Sequence, residues 1–143
     1  MDNRGMNHEV ALAFLHRDGN WLIQLRDDVD GILYPGHWGL FGGHLEPGET
    51  PAQAVHRELI EEINLVVDKP LDYWFSHNKG IYVAHIFRGP LVVSLDQLHQ
   101  REGQDICLAS IQQLSTRAIW SSRLQEYRPI APGLEFLMKY LRS

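Results

Sequence analysis

One segment of the sequence carries both the start and the stop signals of a helix, and it constrains the fold more than any other segment. Thr50 is a favourable N-cap, Pro51 suits the first helical position, and Gln53 lies where a capping box needs it. Asn64 follows, and asparagine tolerates the left-handed backbone conformation that ends many helices. The pattern predicts a helix over 51–63, with an apolar stripe that the rest of the chain must cover.

The same predicted helix carries a group of carboxylates beside its apolar stripe. At about 100° per residue, they fall within one arc, which consists of Glu58, Glu61 and Glu62. Their mutual repulsion and their place at the carboxyl end of the helix are both unfavourable. A hard divalent cation would relieve that cost, and oxygen ligands suit Mg²⁺ or Mn²⁺ better than zinc. A solvated acidic face with an Arg57–Glu61 pair would explain the carboxylates equally well.

Apolar runs separated by turn residues predict a sheet around this helix. The predicted strands are 8–16, 21–25, 38–41, 71–76, 81–87 and 105–109. The Asp18-Gly19 dipeptide predicts a tight hairpin between the first two strands. Further helices are predicted near 111–114 and at about 133–142. Strands interleaved with helices in one short chain favour a single α/β domain in which a sheet packs between helices.

Composition and charge exclude several classes of protein. The net charge of −5 argues against a broad electrostatic hold on nucleic acid, so no nucleic-acid partner is expected. No apolar run approaches the ~20 residues that span a bilayer, and the amino end lacks the apolar stretch of a signal peptide. The single cysteine, Cys107, excludes an intrachain disulfide and is predicted to lie in the core. We therefore expect a cytoplasmic protein with no membrane partner.

The stretch from Gly43 to Leu65 reads GHLEPGETPAQAVHRELIEEINL, and it resembles the Nudix box. The pattern of that box is G-x5-E-x7-R-E-U-x-E-E-x-G-U, where U is a bulky apolar residue. Eight of the nine specified positions match in type and spacing, namely Gly43, Glu49, Arg57, Glu58, Leu59, Glu61, Glu62 and Leu65. The one departure is Asn64 in place of the last glycine, and asparagine can adopt the same backbone conformation.

The resemblance implies a fold, a reaction and a cofactor. The fold would be a Nudix-type α/β/α sandwich with a mixed β-sheet between helices, formed by one Nudix hydrolase domain over 1–143. The reaction would be hydrolysis of the diphosphate linkage in a nucleoside diphosphate joined to another moiety, as in a nucleoside triphosphate, a nucleotide sugar or ADP-ribose. The cofactor would be Mg²⁺, with Mn²⁺ as an alternative. The partner would be a small-molecule nucleotide, and the oligomeric state could be a homodimer.

The resemblance also implies roles for particular residues. The cation ligands would be Gly43, through its carbonyl oxygen, and the three helix glutamates Glu58, Glu61 and Glu62. Glu49 and Arg57 resemble a pair that orients the catalytic helix. The general base is either Glu58 or Glu102, which lies in the 101–104 loop. The candidate substrate-binding residues are Arg26, Trp38, Gly42 and His44, and the further aromatic residues that could stack on a base are Tyr34, Phe41, Tyr73, Trp74 and Phe75.

Two other functions are compatible with such a fold. A non-catalytic domain that senses nucleotides could use it, because fold alone does not determine function. The presence of every glutamate of the box argues against that alternative. An RNA-decapping enzyme would need a basic groove, and the arginines of the carboxyl-terminal third are too dispersed to predict one.

Overall fold

The computed structural model of the protein describes residues 8–141. Its strands are β1 (His8–Arg17), β2 (Asn20–Leu25), β3 (Trp38–Gly39), β4 (Phe41–His44), β5 (Asp72–Asn78), β6 (Tyr82–Pro90), β7 (Asp105–Ser110), β8 (Ala118–Ser121) and β9 (Glu126–Pro129). Its α-helices are α1 (Pro51–Ile63), α2 (Ile111–Ser115) and α3 (Pro132–Leu141), and a short 3₁₀ turn covers Leu95–Gln97. The amino-terminal residues 1–7 and the predicted last residue of the closing helix, 142, lie outside the described residues.

The strand β1 organises a mixed, seven-stranded sheet. One of its edges pairs in parallel with β6 along the whole strand. Its other edge is shared, because β2 pairs with it only at Asn20 and Trp21, and β4 pairs with it over 41–44. Strand β7 extends the sheet beyond β2, β5 extends it beyond β6, and β3 pairs with the end of β2 on the edge that β1 has left. The replacement of β2 by β4 along β1 brings both strands close to the carboxyl end of α1.

Helices cover the two faces of this sheet. The apolar stripe of α1 buries Val55, Leu59 and Ile63 against alternate residues of β1, such as Ala11 and Ala13. On the opposite face, α3 packs with α2 and with the β8–β9 hairpin over the other β1 residues. The predicted α/β/α sandwich with a mixed sheet is confirmed. Among the described residues, no helix is long and apolar enough to cross a membrane.

The local signals read from the sequence are present in the structure. Thr50 and Gln53 form a complete capping box, and the Asn64 cap adopts the left-handed conformation at φ 54°. The β1–β2 turn has positive φ at Asp18 and Gly19, as the Asp-Gly dipeptide predicts. Each of these elements depends on residues close in sequence, which explains why its prediction was correct.

The β8–β9 hairpin was not predicted from the sequence. Its turn contains no glycine or proline, and Gln125 takes the positive φ instead. The turn is held from a distance by the buried Asp105 carboxylate, which accepts hydrogen bonds from Ser121 Oγ at 2.7 Å and Arg123 N at 3.3 Å. A turn that depends on a partner in another strand leaves no local signal.

Candidate active site

The carboxylate of Glu62 lies inside the protein, where β2 and β4 meet the end of α1. The Glu62 residue is only 3% exposed to solvent. Gln24 Nε2 donates to Glu62 Oε1 at 2.9 Å, and the backbone N–H of Gly42 donates to Glu62 Oε2 at 3.1 Å. Burial and the neighbouring Glu58 carboxyl raise the pKa of Glu62 to about 9, against the opposing effect of the Gln24 hydrogen bond. The ionised form of Glu62 is therefore unfavourable by itself, and a positive charge beside it would offset that cost.

Arg57 gathers three further carboxylates at the exposed side of this cluster. Its Nε and Nη2 donate to the two oxygens of Glu49 at 2.6 and 3.0 Å, which is a bidentate pair. Its Nη1 donates to Glu58 Oε2 at 3.2 Å and to Glu61 Oε1 at 3.1 Å. Arg57 holds the pKa of Glu49 below its ordinary value, and Glu49 in turn raises the pKa of Arg57. Arg57 thus joins the loop before α1 to the acidic face of the helix.

Two adjacent glycines of β4 allow the backbone to approach this cluster. A Cβ atom at Gly43 would lie 2.6 Å from Glu58 Oε2, which is closer than atoms can pack. Gly42 has φ 135°, and a Cβ there would lie 2.0 Å from the carbonyl oxygen of Ala11. Gly42 therefore has to be glycine, whereas a side chain at Gly43 would have to displace the Glu58 carboxylate.

The loop that carries Glu102 is fixed by hydrogen bonds to three different segments. Arg101 N donates to the carbonyl of Glu62 at 2.7 Å, and Gln104 N donates to that of Leu25 at 2.7 Å. Gly103 N donates to Asp27 Oδ2 at 3.3 Å. Burial, followed by the negative charges of Glu58, Glu61 and Asp27, raises the pKa of Glu102, while Arg26 opposes the shift. Glu102 is therefore electrostatically coupled to the helix glutamates.

Arg26 lies between two cavities of different character. The polar cavity is lined by Gln24, Arg26, Asp27, Ile32, Gly42, Glu62, Glu102 and Gly103. The apolar cavity has a volume of about 220 Å³, and its lining includes Val10, Leu12, Leu40, Leu134, Tyr34, Tyr82 and Lys79. Arg26 lines both, and its buried Nε has no hydrogen-bond partner. A ligand that spans the two cavities would pass this guanidinium.

A comparison with protein families identifies the chain. A family model described as the NUDIX domain matches residues 6–128. The chain belongs to the NUDIX domain family. This Nudix domain is 30% identical over 120 residues to "Nucleoside triphosphatase NudI" of Enterobacter sp. (strain 638), across 75% of this chain and 84% of that protein.

Solved structures support the same assignment. The Escherichia coli ORF135 protein is 26% identical, has a TM-score of 0.63, and is matched over 94% of this chain and 88% of its own. A MutT protein from Methanosarcina mazei Go1 is 19% identical, with a TM-score of 0.68 over 95% of this chain and 94% of its own, and shares the fold. The protein is a Nudix hydrolase, an enzyme that acts on acid anhydrides, as the sequence predicted.

The substrate-binding candidates of the Nudix domain divide into two groups. Arg26, Gly42 and His44 line the apolar cavity. The prediction for Trp38 is wrong, because its ring is completely buried and its indole N–H donates to the carbonyl of Ile119 at 3.0 Å. A ring enclosed by the core has no face on which a base could stack.

The remaining aromatic candidates differ in the same way. Phe41 is also fully buried, so it cannot stack on a ligand, whereas Tyr34 lines the apolar cavity. The β5 residues predicted as alternatives do not line that cavity, and Phe75 stacks on Tyr140 of α3 at a centroid distance of 4.1 Å.

Several residues that line the two cavities were not predicted as site residues, and they include Gln24, Asp27 and Tyr82. Gln24 lies in β2 and Asp27 follows that strand, so their closeness to the predicted Arg26 was a signal that could have found them. Cys107, by contrast, packs against the core as predicted, and burial and Asp105 raise the pKa of its thiol to about 12. The thiol is therefore protonated at neutral pH and is not a nucleophile.

The Nudix carboxylates fit a divalent cation in their chemistry, although they do not form a finished ligand set. Over residues 8–141, no three side chains of the types His, Cys, Asp or Glu converge as metal ligands. Glu58 and Glu61 each accept a hydrogen bond from Arg57. The buried Glu62, the adjacent Glu58 and the open backbone at Gly43 nevertheless supply only oxygen donors. Such donors suit Mg²⁺ or Mn²⁺.

Proposed function

We propose that the protein is a Mg²⁺-dependent pyrophosphohydrolase that cleaves a diphosphate linkage in a nucleoside diphosphate joined to another moiety. The observation that carries the proposal is the buried Glu62 carboxylate, which lies beside Glu58 and opens onto the same cavity as Glu102 and Arg26. Such a concentration of charge is costly without a cation. Nudix hydrolases generally use a divalent metal, which supports the same assignment.

A nucleoside triphosphate is the substrate class that we favour within this proposal. The relative from Enterobacter, which aligns with 75% of this chain, is described as a nucleoside triphosphatase. The arrangement of the two cavities supports the choice, because an apolar pocket suits a nucleobase and the adjoining polar cavity suits phosphates. Arg26, which lines both, would contact the phosphate chain where it leaves the nucleoside.

The cation would be held by Glu58, Glu61, Glu62 and the carbonyl oxygen of Gly43. When bound, it neutralises the charge of the diphosphate and lowers the pKa of a water molecule. Glu49 and Arg57 would keep α1 in place relative to the loop before it, because their bidentate pair joins the two segments. Glu58 and Glu61 would then interact with both Arg57 and the cation.

Glu102 is the residue that we assign as general base. Its carboxylate would take a proton from the water that attacks the phosphorus, and its raised pKa favours that transfer. The hydrogen bonds to Glu62, Leu25 and Asp27 hold its loop in place before substrate binds. Glu58, the alternative base, already accepts a hydrogen bond from Arg57, which makes it the weaker candidate.

The test is a hydrolysis panel run with and without Mg²⁺ on wild type, Glu61→Gln and the control Glu135→Gln. Glu135 lies on α3 and pairs with Arg117, outside the site. The panel contains nucleoside triphosphates, nucleotide sugars, ADP-ribose and dinucleoside polyphosphates. We expect Mg²⁺-dependent turnover of the triphosphates by wild type and Glu135→Gln only. Nucleotide binding without turnover of any compound would contradict the proposal and favour a sensing domain.

A further inference from the structure

We propose that Gln24 is a positioning residue that fixes the Glu62 carboxylate in the orientation needed for cation binding. Gln24 lies in β2, and 38 residues separate it from Glu62 in the chain. The inference rests on the proposed function, in which Glu62 is a ligand of the cation. Gln24 acts through Glu62, and it belongs to neither the Nudix box nor the predicted set of site residues.

The hydrogen bonds of the Gln24 carboxamide determine how it is oriented. Its Nε2 donates to the carbonyl oxygen of Leu40 at 3.1 Å and to Glu62 Oε1 at 2.9 Å. Both partners are acceptors, and only the nitrogen of a carboxamide carries two N–H groups. The reverse orientation would place an oxygen against two oxygens. The two acceptors therefore determine that the carboxamide nitrogen of Gln24, and not its oxygen, faces Glu62.

Two strands hold the Glu62 carboxylate between them. Gln24 of β2 donates to one oxygen, and the backbone of Gly42 in β4 donates to the other at 3.1 Å. Each carboxylate oxygen can accept a second interaction. Glu62 also lines the polar cavity, which it shares with Glu102. The two donors thus prevent rotation of the carboxylate away from that cavity.

The hydrogen bond between Gln24 and Glu62 matters because both residues are buried. Gln24 is 5% exposed and Glu62 is 3% exposed, so loss of the Gln24 donor would leave a buried acceptor without that partner. Gln24 Oε1 also lies close to Gly103, since a Cβ built there would be 3.0 Å from it. The same side chain therefore donates to the proposed ligand Glu62 and lies near the segment next to Glu102.

The test measures Mn²⁺ binding to the free enzyme by calorimetry, so that no turnover is required. Gln24→Met keeps the length of the side chain and removes its donor. We expect the Kd for Mn²⁺ to rise about 10- to 100-fold, as for other residues that support metal ligands. The matched control is Gln113→Met, because Gln113 caps α2 through backbone contacts far from Glu62 in the chain. Its Kd should equal that of wild type.

A double-mutant cycle separates positioning from a general effect on the fold. In a Glu62→Gln background, Gln24→Met should change the weakened Mn²⁺ affinity less than about twofold, because its partner charge is absent. An equal loss in both backgrounds, or no loss in the wild-type background, would overturn the inference. If Gln24→Met does not fold, Gln24→Asn replaces it, since its shorter side chain cannot reach both acceptors. Absence of Mn²⁺ binding by wild type would instead overturn the proposed function.

Discussion

The two halves of the site are built in different ways. The carboxylate half comes mostly from one stretch of chain, in which Glu49 and Arg57 are eight residues apart and cap signals define the helix that contains Arg57. The apolar half is assembled from distant segments, including Val10 of β1, Tyr34 of the loop after β2, and Leu134 of α3. Chemistry encoded locally can be read from a sequence, whereas a binding surface encoded by tertiary packing cannot.

The comparison predicts that substitutions in the carboxylate half lower kcat. Glu62→Gln should lower kcat at least about 100-fold, because it removes the charge of a proposed ligand while keeping its size. The free energy of unfolding without metal should be nearly unchanged at neutral pH, since the raised pKa of Glu62 keeps its buried carboxyl neutral there and glutamine has a similar size. Steady-state kinetics and urea titration measure both. A folded variant with wild-type kcat would show that this half is not the catalytic one.

Replacing Arg57, which pairs with Glu49 and supports α1, should lower kcat by a smaller factor. Arg57→Lys keeps the positive charge but cannot form the bidentate contact with Glu49, so we expect kcat to fall about 10-fold. Arg117→Lys is the control, because Arg117 is exposed and pairs with Glu135 away from the site. Equal kinetics for the two variants would argue against an orienting role for Arg57.

The apolar half should affect substrate binding more than turnover. Tyr34→Ala should raise KM about 10-fold and leave kcat within about twofold, because it removes contact area that the ground state and transition state share. Tyr127→Ala, which removes an exposed tyrosine of β9, is the control. A fall in kcat with unchanged KM would show that the two halves are not functionally separate.

The smallest expected effect is on stability in acid. Arg57 holds the pKa of Glu49 below its ordinary value of 4.5, so the unfolded chain takes up this proton at higher pH than the folded protein does. The contribution of Glu49 to stability is therefore complete above pH 4.5 and is lost as pH falls through the folded pKa. Urea titrations between pH 7 and pH 3 should show a shallower decline for Glu49→Gln. Parallel curves would contradict the assignment.

The sequence predicted the carboxylate half of the site better than the parts that are assembled from distant segments. The helix at 51–63, its caps and its carboxylates were correctly placed, since each signal lies within a few residues of its partner. Gln24 was missed because its partner is on another element, and only the departure of β2 from β1 brings them together. Trp38 was wrongly assigned, because a sequence does not distinguish an aromatic residue of the core from one that lines a cavity.

The most direct test of the central claim is a Mg²⁺ titration of nucleoside triphosphate turnover by wild type and Glu62→Gln. The account predicts that wild-type turnover is absent in a chelator and rises to saturation with Mg²⁺. It also predicts that Glu62→Gln needs more Mg²⁺ and does not recover the wild-type rate at saturation. Turnover that is independent of Mg²⁺, or a Glu62→Gln curve that coincides with wild type, would contradict the claim that these carboxylates form a metal-dependent hydrolytic centre.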